Sequence, residues 1–179
     1  MIVRWGLAEA GPLLSELGSE RPLLVTSERL AGLDVPVAAR FTGARRHSPL
    51  ETVSAATAAA ERADVLVGAG GGSAIDTAKA VSAATGLRLV AIPTTYAGAE
   101  WTPRFGMRDE ARRLKTGGSG ANTVGIVYDP ALTLDLPRDE TFLRLSMLIS
   151  EKPAIRIMAV LLLACGLLSG CAKIGRAHV

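Results

Sequence analysis

Residues 66 to 79 read Leu-Val-Gly-Ala-Gly-Gly-Gly-Ser-Ala-Ile-Asp-Thr-Ala-Lys, and no other stretch limits the possible folds so much. An apolar strand runs into three consecutive glycines and a serine, and a helix starts at once. Glycine lets backbone approach a ligand closely. The first turn of a helix has N–H groups with no partner one turn back, and it carries a partial positive charge. Together these features make a pocket for phosphate. A chain built around such a pocket is expected to bind a nucleotide or a dinucleotide cofactor.

The length of 179 residues suits one domain, or one and a fragment. Hydrophobic residues make up 49% of the chain and aromatics only 4%, which fits closely packed α/β layers. The net charge of +3 does not describe the body of the molecule. Residues 150 to 179 hold Lys152, Arg156, Lys173 and Arg176 against Glu151 alone, and the remainder is balanced. No basic face for nucleic acid is implied. Both cysteines, Cys165 and Cys171, also lie in that last stretch, and the body's only histidine is His47. Disulfides, thiol chemistry and a histidine-rich metal site are therefore not expected in the body.

The body alternates strand and helix signals. Strands are predicted at Leu23 to Thr26, more weakly at Val35 to Phe41, then at Val65 to Gly68, Leu87 to Ile92 and Val124 to Tyr128. Helices are predicted at Pro49 to Ala63 and Ala74 to Ala84, the second closed by Gly86. Short apolar strands alternating with helices predict a Rossmann-like α/β fold, a parallel sheet covered on both faces. Thr102 to Arg108 and Arg112 to Thr116 flank Asp109-Glu110-Ala111 and read as a β-hairpin insertion. Gly117 to Gly120 is either a flexible connector or a ligand loop.

The chain after about Phe142 breaks the alternation. Ile157 to Leu168 is an unbroken apolar run, too short to span a bilayer comfortably. With Lys152 and Arg156 before it and Leu168-Ser169-Gly170-Cys171 after it, the run resembles a bacterial lipoprotein signal displaced from an N-terminus. Lys173 to Val179 resembles the translation of a sequencing-library adapter. A spliced or misassembled reading frame is the preferred reading. A buried C-terminal helix and a membrane-associated product are the alternatives. The expected division is a cofactor-binding domain over residues 1–141 and an unrelated tail over 142–179.

The glycine cluster fits neither register of the G-x-G-x-x-G fingerprint and has no Walker-type lysine. Its setting between a strand and a helix gives it weight. Ser73 is placed to cap the helix or to donate to a phosphate, and Asp76 reads as a first-turn carboxylate favoured by the dipole. Lys79 reads as solvent-facing. Pro93-Thr94-Thr95 follows a strand, so its two hydroxyls belong to the same carboxyl edge of the sheet.

Gly70-Gly71-Gly72-Ser73-x-x-Asp76-x-Ala78-Lys79, then Pro93-Thr94-Thr95 and Gly98-x-Glu100, resembles the iron-type alcohol dehydrogenase superfamily. Tyr128-Asp129-Pro130-Ala131-Leu132-Thr133 and Leu136-Pro137 match it as well. The compact segment from Pro93 to Glu100 most resembles the maleylacetate reductase branch. The resemblance covers about residues 1 to 141. It implies that Gly71, Gly72 and Ser73 hold the pyrophosphate of NAD(P)H and that Asp76 supports that loop. It implies that Thr94 and Thr95 contact the phosphate or adenosine side, and that Lys115 reaches the ribose near the nicotinamide. The bland reading of Lys115, beside Arg112 and Arg113, is a solvated charge. Ser27 stands where many relatives carry an aspartate that binds the ribose hydroxyl of NAD, and Arg29 is near, so both NADH and NADPH are expected to be accepted.

The resemblance further implies a cytoplasmic enzyme acting on a small molecule, with no nucleic-acid or membrane partner for its body, and a homodimer at full length. The reaction implied is reduction of maleylacetate to 3-oxoadipate in the breakdown of aromatic compounds. Metal ligands and substrate-handling groups belong to a second, helical domain of such relatives, and no counterpart is recognised in this sequence. The fragment is therefore expected to be inactive by itself. Two alternatives stay open: another alcohol or glycerol dehydrogenase of the superfamily, or a non-redox nucleotide binder resembling dehydroquinate synthase.

Overall fold

The structure, a computed structural model, describes residues 1–134. The chain runs β1 (Ile2–Trp5), α1 (Ala10–Glu16), β2 (Pro22–Val25), β3 (Ala39–Phe41), α2 (Leu50–Ala59) and β4 (Val65–Gly70). It continues through α3 (Gly72–Thr85), β5 (Arg88–Pro93), β6 (Phe105–Asp109), β7 (Leu114–Gly118) and β8 (Asn122–Tyr128). Six strands form one sheet in the order β1-β8-β5-β4-β2-β3, and every neighbouring pair is parallel. β6 and β7 form a separate antiparallel hairpin. The Rossmann-like α/β architecture with a hairpin insertion is thus present.

Alternate residues of each strand face opposite sides, so a sheet covered on both faces needs apolar residues at every position. Leu24, Val65, Val67, Val90 and Ile92 face one side and pack with Leu13 and Leu14 of α1. Leu23, Val25, Leu66 and Leu89 face the other and pack with Ala56 of α2 and with Ala78 and Val81 of α3. The small residues of α2 and α3 let both helices sit close to the strands. Gly68 shows how close: a Cβ built there would lie 2.7 Å from the Ala78 Cβ.

Several boundaries differ from the sequence reading, each for a local reason. Only Ala39–Phe41 of the expected strand from Val35 pairs with β2. Pro36 has no N–H to give a ladder, and the Arg40 guanidinium takes the carbonyls of Ala31, Leu33 and Val35. α2 stops at Ala59 and the chain turns before β4. β4 runs two residues further than expected because Ala69 and Gly70 still pair with Ile92 and Pro93. Gly117 and Gly118 are strand residues of β7, neither connector nor ligand loop. The hairpin turn is Glu110–Arg113, with Arg113 at φ 53. Asp109 closes it, accepting from the Arg112 N–H at 3.0 Å. The N-terminal β1 and α1 had no counterpart among the expected elements. The boundary near residue 141, Leu136-Pro137 and the tail lie outside the described residues.

Chain order reverses between β2 and β4. β2 leads outward to β3, whereas β4 leads the opposite way to β5. The loops beyond Val25 and Gly70 therefore part and leave a crevice at the carboxyl edge, where open α/β sheets bind ligands. Because the crevice depends on α3 lying against β4, Gly68→Val should lower stability by about 1–3 kcal/mol through overpacking. Urea denaturation of the variant beside the parent checks this.

Candidate functional site

Three strand ends meet at the crevice. Beyond β2, the Thr26 hydroxyl donates to the Ala69 carbonyl at 2.8 Å and ties the end of β2 to the glycine turn. Ser27 follows, partly buried, in an isolated antiparallel bridge with Gly43. Beyond β4, Gly70 adopts φ 137, a conformation open to glycine, and the chain turns into α3. Beyond β5, the Thr94 N–H donates to the Gly70 carbonyl at 2.9 Å. A Cβ on Gly71 would lie 3.2 Å from Thr95, and one on Gly72 would lie 3.3 Å from Ala97. The glycines thus serve internal packing first: they let the turn nest against the strand-end segment that follows β5.

What this nesting leaves for a ligand is backbone N–H. The Gly71 carbonyl accepts the first intrahelical bonds, from Ala74 and Ile75 at 3.0 and 3.2 Å. The N–H groups of Gly72 and Ser73 lie ahead of those bonds and have no partner one turn back. Thr94 is fully buried, and its hydroxyl has no hydrogen-bond partner among the described residues.

A cleft of about 290 Å³ opens over this turn. Its walls include His47, Gly72, Ser73, Asp76, Arg108 and Lys115. Four of the residues singled out from the sequence, Gly72, Ser73, Asp76 and Lys115, therefore share one cleft. Ser27, Gly71, Thr94 and Thr95 do not line it; they lie at the neighbouring strand ends. Lys115 is exposed on β7 and reaches the cleft because the hairpin folds over α3.

Ser73 does not cap α3 with its side chain; the cap position is Gly71. Its Oγ accepts instead from the His47 N–H at 3.0 Å. Asp76 lies beyond the first turn, and its Oδ2 accepts from the Gly106 N–H at 3.1 Å, bracing the hairpin. The clearest departure is Lys79, expected in solvent and found fully buried. Its Nζ donates to the Ala99 carbonyl at 2.7 Å and to the Arg104 carbonyl, and stands 3.5 Å from Asp76 Oδ1. Burial pushes the ammonium below the usual lysine range, while the Asp76 and Glu100 carboxylates pull it back up. Lys79 and Asp76 together anchor the segment between β5 and β6 to α3. No sequence signal except the one-turn spacing of Asp76 and Lys79 pointed to this.

The sequence reading also passed over the loop before α2. His47 and Ser48 have φ of 65 and 47, left-handed values uncommon outside glycine. The Ser48 hydroxyl donates to the Ser73 carbonyl at 2.8 Å, and the Arg108 N–H donates to the Ser48 carbonyl at 3.2 Å. This loop clasps both the glycine turn and the hairpin. Deeper in, the Tyr128 hydroxyl donates to Glu100 Oε1 at 2.8 Å, and Trp101 stacks on the Tyr128 ring. Among the described residues no group of three or more His, Cys, Asp or Glu could hold a metal ion. None of their helices is long and apolar enough to cross a membrane.

The fold is a Rossmann-like α/β fold with a cleft at the carboxyl edge of its parallel sheet. The family model for iron-containing alcohol dehydrogenase matches residues 2–130. Maleylacetate reductases of Sphingobium indicum and Burkholderia cepacia are 40% and 38% identical over 138 and 136 residues, 70% and 69% of this chain. The match covers 38% of each relative, so the chain spans less than half the length of the curated proteins it resembles. The crystal structure of maleylacetate reductase from Rhizobium sp. superposes with a TM-score of 0.69 at 30% identity, covering 76% of this chain and 43% of that one. Sulfoacetaldehyde reductase of Bifidobacterium kashiwanohense, solved in complex with NAD+, shares the fold at a TM-score of 0.70 and 21% identity, covering 81% and 48%. The chain belongs to the iron-containing alcohol dehydrogenase family. The described residues supply no ligand set for the iron of that name.

Two outcomes follow from the buried groups. Lys79→Met strands two carbonyls and Asp76 and should cost about 3 kcal/mol in urea denaturation. Burial holds both tyrosines, Tyr96 and Tyr128, above their ordinary value of 10.0. Tyrosinate absorbance should therefore stay low as pH passes 10.0, the ordinary tyrosine value, and rise only with unfolding. The sign is that of a raised acid: this contribution to stability is full below the unfolded value and is lost as pH climbs above it.

Proposed function

We propose that these residues form the NAD(P)H-binding part of a reductase, and that the full-length protein reduces maleylacetate to 3-oxoadipate. One observation carries the cofactor reading. The N–H groups of Gly72 and Ser73, ahead of the first intrahelical bonds of α3, belong to residues that line a cleft at the carboxyl edge of a parallel sheet. A diphosphate fits this donor set: two amides at a helix N-terminus suit its anionic oxygens. Lys115, across the cleft, would stand over the nicotinamide-side ribose, while Thr95 would line the phosphate side. Ser27, at the end of β2, would meet the adenosine ribose. Identities of 34 to 40% to maleylacetate reductases support the choice of substrate.

When bound, the nicotinamide supplies hydride. This chain's residues bind and orient. The turn fixes the diphosphate, Asp76 and Lys79 hold the hairpin over the cleft, and the hairpin presents Lys115. Such fixing places the reacting carbon where a substrate can be met, the positional part of catalysis.

Quenching of protein fluorescence by NADH and by NADPH tests the reading, with turnover of maleylacetate measured on the full-length protein. Absence of binding by either cofactor would refute it. Ser27→Asp puts a carboxylate at the adenosine ribose, where it would repel a 2′-phosphate. The variant should lose about tenfold in NADPH affinity and keep NADH affinity. An unchanged ratio would remove Ser27 from the ribose site.

A further inference from the structure

His47 has no role in the reading from sequence, yet its place in the fold is specific. It lies in a short loop that leaves β3, bridges to Ser27 through Gly43, and ends at α2. The loop thus runs from the end of β2 to the phosphate turn, along the crevice. At its far end the His47 N–H donates to Ser73 Oγ, and the Ser48 hydroxyl donates to the Ser73 carbonyl. His47 and Ser48 both stand at left-handed φ. Such conformations are costly for residues other than glycine and persist where the surroundings fix them. The bonds to Ser73 and the Arg108–Ser48 bond do the fixing here. Their effect is to place His47 in the wall of the cleft beside Gly72 and Ser73.

We propose that His47 is a further diphosphate-binding residue, and that the dinucleotide binds together with a proton taken up on its imidazole. The proposal rests on the cofactor reading above and adds a residue and a proton to it. The charged groups around the imidazole come from four elements. Asp76 of α3, Arg108 of β6 and Lys115 of β7 line the same cleft. On the loop itself, Arg45 is turned toward Glu51 of α2, whose Oε1 lies 2.5 Å from its guanidinium. Asp76 is occupied by Gly106 and Lys79. Without a ligand the cleft therefore gathers Arg108 and Lys115 with one committed carboxylate. A bound diphosphate would bring negative charge to this wall of the cleft, which favours imidazolium, and imidazolium donates from both ring nitrogens. The expected result is a charge-assisted bond that forms only in the complex.

Isothermal titration calorimetry of the 179-residue chain with ADP-ribose tests this. ADP-ribose carries the diphosphate without nicotinamide, and its diphosphate does not titrate near neutral pH, so a pH slope reports on the protein. Affinity should fall about tenfold from about pH 6 to about pH 8, the range in which imidazole loses its proton. Titrations in buffers of different ionisation enthalpy should show net proton uptake on binding near neutrality. His47→Asn suits the left-handed backbone and keeps the N–H to Ser73. It should bind about tenfold more weakly at the low end of that range and lose the slope. Parent binding without proton uptake, or a variant with parental affinity and slope, would overturn the role of His47 and leave the cofactor reading standing. A parent that does not bind ADP-ribose would overturn both. The proton-uptake measurement needs no variant, so it decides the matter even where the substitution prevents folding.

Discussion

The junction between β4 and α3 governs everything else at the carboxyl edge. Gly68 and Gly70 bring the strand against Ala78 and Ala74 at distances no side chain permits. That approach fixes where the first turn of α3 starts, and so where its unpartnered N–H groups lie. The turn then receives three other parts of the chain. The segment after β5 nests on Gly71 and Gly72, the loop before α2 bonds to Ser73, and the hairpin bonds to Asp76. A larger residue at Gly68 would shift the helix, and with it every wall of the cleft.

Lys79 shows how the same helix controls a distant loop. It lies in the middle of α3 with no exposed surface, an expensive place for an ammonium. Two backbone carbonyls and Asp76 offset the cost, and in doing so they hold the residues between Ala99 and Arg104. Glu100 lies in that segment and accepts from the Tyr128 hydroxyl at the end of β8. One buried cation thus links the helix, the hairpin and the far side of the sheet. In a low-dielectric interior such a group specifies geometry, because alternatives leave charge or carbonyls unpaired.

Family membership and chemistry rest on different supports. The iron-containing alcohol dehydrogenase family is shown by a match over residues 2–130 and by a shared fold. A fold hosts many reactions, so the substrate does not follow from it. The dinucleotide reading comes from the site itself: two amides at a helix N-terminus and a lysine that line one cleft.

The amino-acid order alone determined the alternation of strands and helices, the glycine turn, and the placing of Thr94 and Thr95 at the same edge. These are local properties: apolar runs, glycine spacing and chain connectivity carry them. It also carried enough motif to point to the family. It did not determine that Lys79 is buried, that Asp76 braces the hairpin, or that His47 enters the cleft. Those positions depend on contacts between residues 20 to 30 apart in the chain, such as Lys79 with Ala99 and His47 with Ser73. A lone lysine or histidine carries no local signal of its partners, and only the packing of α3 against β4 and the loops around it decides them.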